Sequence, residues 1–338
     1  MTNEQKTRFQ ILALSGGGYR GLYTAKILAD LEQDIGEPVA RRFDLIAGTS
    51  IGGILALAIA LEIPAERMVK LFEQHGQEIF KRRFSPLGFF RAPYSPKPLK
   101  HLLGASDIFG NQTLGACKHP VIVPAINYST GQPQLFKTPH HPDFKRDYKF
   151  HLVDIALATS AAPAYFPRHT FNNNQYVDGG LYANAPGLLA LHETETFFKH
   201  PIEAVHMLSI GTMSSKFTAD PRRNRSGGTY DWGGLNPANM PKRLFGLSIS
   251  VQESLSDFIL QHRLESRYVL LDDVLTDERA QAVALDKANA PAREVLMGAA
   301  SEKSKIWLGQ KDCQEFHRHK CSPPKFYYGP NAEKGTPC

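Results

Sequence analysis

Ser50 lies in Gly48-Thr49-Ser50-Ile51-Gly52, a G-x-S-x-G pentapeptide set between a short apolar run and an Ala/Leu-rich stretch. Small residues on both sides let the chain turn sharply, so that a serine hydroxyl projects near the positive end of the following helix. A hydroxyl is a weak nucleophile and needs a base within hydrogen-bond reach. Most of the 13 histidines, among them His101, His119, His140, His141, His151, His169, His192 and His206, sit in no recognisable catalytic setting. Asp178 differs, because it ends the short apolar run Tyr176-Val177 and is followed by Gly179-Gly180. A carboxylate at a strand end beside glycines can approach another backbone closely, which suits a base meeting the serine.

A third cluster, Ser15-Gly16-Gly17-Gly18-Tyr19-Arg20-Gly21, offers backbone amides that can converge on an anion, either a nucleotide phosphate or the oxyanion of acyl transfer. Gly16-x-Gly18-x-x-Gly21 fits the dinucleotide fingerprint, but the acidic partner expected about 20 residues on would have to end a second strand, and Glu37 and Asp44 do not. A P-loop is excluded because no Gly-Lys-Ser/Thr follows.

These residues need a scaffold. Phe9 to Leu14 reads as a strand, and Leu22, Ala25, Ile27, Leu28 and Leu31 recur at helical spacing after the glycine turn. Phe43 to Ala47 predicts a second strand and Ile51 to Leu61 a buried helix. Val121 to Tyr128 and Gln134 to Lys137 predict a hairpin, Leu152 to Thr159 a helix and Val205 to Ile210 a core strand. Leu181 to Glu193 can restart as a helix after the aspartate. Leu244 to Arg267 predicts one long helix, Tyr268 to Leu271 a strand, and Asp277 to Leu308 one or two helices broken near Pro291. Alternating strands and helices predict an α/β fold with a mainly parallel sheet covered on both faces. Ser50 follows only two strands, unlike the Ser-His-Asp hydrolase order, so the sheet is wound differently. One domain is expected over residues 1–310, with an irregular tail over 311–338.

The 338 residues are 42% hydrophobic and 21% charged, which excludes disordered and fibrous classes. A formal charge of +6 permits anionic partners without choosing among them. Cys117, Cys313, Cys321 and Cys338 do not form the dense framework of a small secreted scaffold. The polar start MTNEQKTRFQ lacks a signal-peptide pattern, and no apolar run approaches the ~20 residues that span a bilayer. A soluble cytoplasmic protein is expected, and any contact with lipid would be peripheral.

Taken together, Gly16-Gly17-Gly18-Tyr19-Arg20-Gly21, Gly48-Thr49-Ser50-Ile51-Gly52 and Asp178-Gly179-Gly180 resemble, in order, the three signatures of the patatin-like phospholipases. The resemblance spans about residues 9–211, with an extension to about 310. It implies a three-layer α/β/α fold, a Ser50–Asp178 dyad without a catalytic histidine, and an oxyanion hole from the backbone of Gly16, Gly17 and Gly18. Arg20, Gly48, Gly52, Gly179 and Gly180 match supporting motif positions, and no cofactor or metal serves catalysis. SGGGYRGLYTAKIL and FDLIAGTSIGGILALA look most like bacterial anti-phage (CBASS) phospholipase effectors switched on by a cyclic dinucleotide such as 3',3'-cyclic GMP-AMP. That narrower likeness implies membrane phospholipid as substrate, action at the inner face of the cell membrane, no DNA or RNA partner, and a possible homo-oligomer.

Three further segments carry expectations. Residues 80–100 interleave Phe80, Phe84, Phe89, Phe90 and Tyr94 with Lys81, Arg82, Arg83, Arg91 and Lys97, as a membrane-docking or substrate-entry segment would, or as a loop whose aromatics complete the core. Thr212 to Pro241 lacks apolar period and contains Arg222, Arg223, Arg225, Tyr230 and Trp232, which suit phosphate pairing and base stacking in a nucleotide sensor or lid. His317-x-His319-x-Cys321 with Cys313 upstream matches no zinc motif.

Overall fold

The computed structural model describes residues 8–83, 91–213, 228, 232, 240–275 and 282–332. β1 (Phe9–Leu14) pairs in parallel with β2 (Leu45–Gly48) on one side and β7 (Val205–Ile210) on the other. β3 (Val121–Asn127) and β8 (Tyr268–Leu271) extend this parallel core. β4 (Gln132–Lys137), β5 (His169–Phe171) and β6 (Asn174–Asp178) add antiparallel strands at the β3 end, giving the order β5-β6-β3-β2-β1-β7-β8 with β4 on β3.

The two-residue period of β1 sorts its side chains into two cores. Leu12 and Leu14 pack under α1 (Gly21–Ile35), α2 (Ile51–Ala60), α3 (Ala65–Ile79) and α9 (Ala290–Leu308). Phe9, Ile11 and Ala13 face α7 (Gly187–Thr196) and α8 (Met240–Leu264) on the opposite side. Burying every position of a strand is what a sheet covered on both faces requires, and the fold is the three-layer α/β/α expected. Three shorter helices are α4 (Lys97–Leu103), α5 (Leu152–Thr159) and α6 (Gly180–Ala183).

One topological detail positions the chemistry. β4 pairs along β3 from Ile122 to Asn127, so β2 and β6 must share the other edge of β3. β2 runs parallel to β3 and reaches Ile122 with Ala47, whereas β6 runs antiparallel and reaches Ala125 with Asp178. The C-terminal ends of these two strands therefore meet tip to tip. Ser50 follows one tip and Asp178 ends the other.

Three elements differ from expectation. Pro291 does not break a helix; it lies in the first turn of α9, where its missing N–H is not needed, and Asn289 caps that turn by accepting from the Ala292 amide at 3.0 Å. The stretch after Gly180 is two helices, because Pro186 ends the α6 region before α7 begins. The tail is not irregular from Lys311: α10 (Lys311–Arg318) buries Cys313 and Phe316, and Phe326 is buried beyond it. Only two buried apolar residues hold α10 down, too few for a periodic signal, and the Phe316 carbonyl accepts from Nε2 of the buried Gln10 side chain. No helix among the described residues is long and apolar enough to cross a membrane.

Candidate active site

The turn from β2 into α2 brings backbone against backbone. A Cβ at Gly52 would stand 2.3 Å from the Leu14 carbonyl oxygen, and one at Gly48 would stand 2.1 Å from that of Gly52. These two glycines let α2 start directly over β1. Ser50 at the apex holds φ 54° and ψ −123°, a conformation costing about 1–3 kcal/mol that the surrounding bonds must impose. The Ser50 amide donates to Thr159 Oγ1 at 2.9 Å, and the Thr159 hydroxyl donates to the Pro124 carbonyl at 2.7 Å. α5 and β3 thereby hold the elbow from below.

Ser50 Oγ donates to Asp178 Oδ2 at 2.7 Å, and Asp178 Oδ1 accepts the Gly180 amide at 2.7 Å. Gly179 is required where it stands, since a Cβ would lie 2.4 Å from the Pro124 carbonyl oxygen. Asp178 is 1% exposed, and this burial pushes its carboxyl up to about 7, against the opposing pull of the bonds from Ser50 and Gly180. A carboxylate hydrogen-bonded to a hydroxyl, with a proton affinity matched to neutral pH, is equipped as a general base.

The glycine loop corrects one expectation. The Gly16 amide does not face a substrate; it donates to the Asn184 carbonyl at 3.0 Å. The Gly17 and Gly18 amides have no acceptor among the described residues, and both glycines line a narrow cavity of about 70 Å³ with Ser50 and Asp178. Gly18 has φ +58°, and a Cβ there would strike the Leu285 carbonyl at 2.2 Å. Elsewhere the cavity wall is mostly apolar, including Ile54, Phe72, Phe166, Phe245 and Ile249, with Ser160 and Asn184 among its polar residues. Two donor amides, a nucleophile and a base thus meet at the end of an apolar slot, the arrangement that ester hydrolysis of a greasy acyl group needs.

Arg20 turns away from the slot. Its buried guanidinium donates through Nη1 to the Met213 carbonyl at 3.0 Å, while its Nε has no partner among the described residues. Burial lowers its pKa against the raising influence of Glu253 and Asp272. Sequence reasoning missed Asn184 and Thr212, both buried and both donating to the Gly16 carbonyl, at 3.1 and 2.9 Å. The available signals were a polar Asn184 just before the helix-breaking Pro186 and a Thr212 immediately after the Gly211 that stops β7.

Of the residues 80–100, Phe80 lines the slot and Tyr94 is buried, stacked on Tyr165 at 6.4 Å, so these two complete the core rather than face lipid. Phe84, Phe89 and Phe90 lie outside the described residues, as do Arg222, Arg223, Arg225 and Tyr230 of the sensor expectation. Trp232 is described and exposed. In the tail, Cys313 Sγ contacts His317 Nε2 at 3.3 Å, but His319 pairs with Asp44 at 2.7 Å, and no group that could hold a metal occurs among the described residues.

Comparison with known proteins agrees with this geometry. The family profile of the patatin-like phospholipases matches residues 12–191, which contain Ser50, Asp178 and the glycine loop. The chain is 44% identical over 329 residues to a cGAMP-activated phospholipase of Pseudomonas aeruginosa, covering 96% of each chain. It is 36% identical over 316 residues to a cGAMP-activated phospholipase of Vibrio cholerae, covering 84% of this chain and 87% of that one. More distant, at 26% identity over 213 residues, is a cUMP-AMP-activated phospholipase of Escherichia coli, with 60% of this chain and 64% of that one covered. The chain belongs to the patatin-like phospholipase family.

Proposed function

We propose that this protein is a phospholipase of the A type that cleaves acyl esters of membrane phospholipids through Ser50 and Asp178. The observation that carries this reading is the 2.7 Å bond from the Ser50 hydroxyl to the buried Asp178 at the end of an apolar slot. Asp178 takes the Ser50 proton as Oγ attacks the ester carbonyl, and the Gly17 and Gly18 amides receive the oxyanion. Collapse of that intermediate expels the lysophospholipid alcohol, which leaves with the proton held by Asp178. Water, deprotonated by the same carboxylate, then releases the fatty acid and restores Ser50.

The proposal extends to control and place. The relatives named as cGAMP-activated support a dormant enzyme switched on by 3',3'-cyclic GMP-AMP or another cyclic dinucleotide. In this reading it acts in anti-phage defence from the cytoplasm, on the inner face of the cell membrane, through peripheral contact. The exposed apolar residues Leu244, Val251, Leu255 and Phe258 along one face of α8 support such a contact.

Purified protein mixed with vesicles of bacterial phospholipid should release free fatty acid only when one cyclic dinucleotide of a panel is added. Release without any nucleotide would replace the gated enzyme with a constitutive lipase. No release under any condition would overturn the hydrolase itself.

A further inference from the structure

The Gly16–Gly17 peptide is held in an unusual way. Its carbonyl, that of Gly16, accepts two side-chain donors, Thr212 Oγ1 at 2.9 Å and Asn184 Nδ2 at 3.1 Å. The Gly16 amide is tied to the Asn184 carbonyl at 3.0 Å, so Asn184 grips Gly16 at both ends. Asn184 is itself oriented without ambiguity. Its Nδ2 faces the Gly16 carbonyl, which can only accept and so requires the NH₂ end, and the same NH₂ donates to Glu253 Oε1 at 2.6 Å. Further bonds fix the same segment to α8: Gln252 both donates to the Ala185 carbonyl and accepts its amide, and Ser256 donates to that carbonyl.

Planarity converts this grip into catalytic geometry. In a trans peptide the C=O and N–H point in opposite directions, so a carbonyl held between Thr212 and Asn184 aims the Gly17 N–H the other way. Gly17 lines the slot beside Ser50, and its amide has no acceptor among the described residues. The site is also closed to substitution from the Thr212 side, because a Cβ on Gly17 would lie 2.2 Å from Thr212 Oγ1. We infer that Thr212 and Asn184 are positioning residues for the reaction, locking the Gly16–Gly17 peptide so that the Gly17 amide is presented to the developing oxyanion. Neither side chain is hydrogen-bonded to Ser50 or Asp178; each acts through the peptide. This inference rests on the hydrolase reading above and adds to it the residues that preform the oxyanion hole.

The decisive substitution is Thr212→Val, which keeps the shape of the side chain and removes its hydroxyl. With the full-length protein, a soluble p-nitrophenyl ester, and 3',3'-cyclic GMP-AMP present, kcat should fall at least tenfold, toward the ~10²-fold of a lost oxyanion donor. KM should stay within about twofold, since the apolar slot is untouched. Thr212→Ser restores the hydroxyl and should recover most of the rate; if Thr212→Val does not fold, Thr212→Ala, which adds no atom, should show the same loss. A wild-type kcat in the hydroxyl-free variants, or equal losses in T212V and T212S, would overturn the lock while leaving the hydrolase intact. If the wild type has no activity, the hydrolase reading is what fails. The lock is then read directly in crystals of the wild type and T212V, where a Gly16 carbonyl with the same orientation in both would overturn it.

Discussion

Replacing Ser50 with alanine should leave the protein folded and lower ester turnover by about 10⁴-fold or more, the scale seen when a nucleophile is removed from an intact site. Alanine keeps the Cβ and is no worse than serine at φ 54°, so the elbow persists on the Ser50 backbone bonds to Thr159 and Ile54. What disappears is the attacking oxygen and the partner of Asp178. Initial rates on a phospholipid and on a soluble ester should fall together, because the loss is chemical rather than one of binding. Circular dichroism and the melting temperature, measured alongside, check that the fold survives.

Asp178→Asn should be nearly as damaging, with a loss approaching the ~10⁴-fold known for an amide at a catalytic carboxylate position. Asparagine can still accept the Gly180 amide but cannot take a proton from Ser50. In the wild type the rate should rise with pH through about 7, as Asp178 ionises, and then level off. The same ionisation affects stability. The folded value of about 7 lies above the ~3.9 of an unfolded aspartate, so the stability this group contributes is complete below the unfolded value and is lost as pH rises toward 7. Asparagine does not titrate. The melting temperature of D178N relative to wild type should therefore climb between pH 4 and pH 7 and stay level above it. A difference independent of pH would mean that Asp178 is not held in its neutral form by burial.

Much of this site is legible in the chain because its chemistry depends on short local patterns. Gly48 is a glycine for a steric reason that acts within five residues, the approach of the Gly52 carbonyl, whereas Gly52 and Gly179 are needed against the distant Leu14 and Pro124 carbonyls; all three nevertheless stand inside short motifs that can be read directly. The meeting of β2 and β6 along one edge of β3 is not local. It follows from β4 occupying the other edge, a fact of pairing that neither strand encodes by itself. The error over Gly16 has the same origin. A triple glycine predicts three free amides, but the Asn184 carbonyl arrives from 168 positions away and takes one of them. Thr212 was likewise hidden, because a hydroxyl after a strand reads as a loop residue until the Gly16 carbonyl is seen beside it. In the tail, α10 escaped notice for want of apolar period, and its burial depends on Gln10 in β1 and on Phe43 packing beside Phe316.

In the proposed mechanism Ser50, activated by Asp178, is the nucleophile. Treating the protein with a fluorophosphonate and mapping the adduct by mass spectrometry probes this at the reacting atom, because the reagent phosphonylates an activated serine far faster than an ordinary hydroxyl. The adduct should fall on Ser50 alone, form faster as pH rises through about 7, and be lost or greatly slowed in D178N. An adduct on another residue, or labelling of Ser50 in D178N at the wild-type rate, would contradict the account.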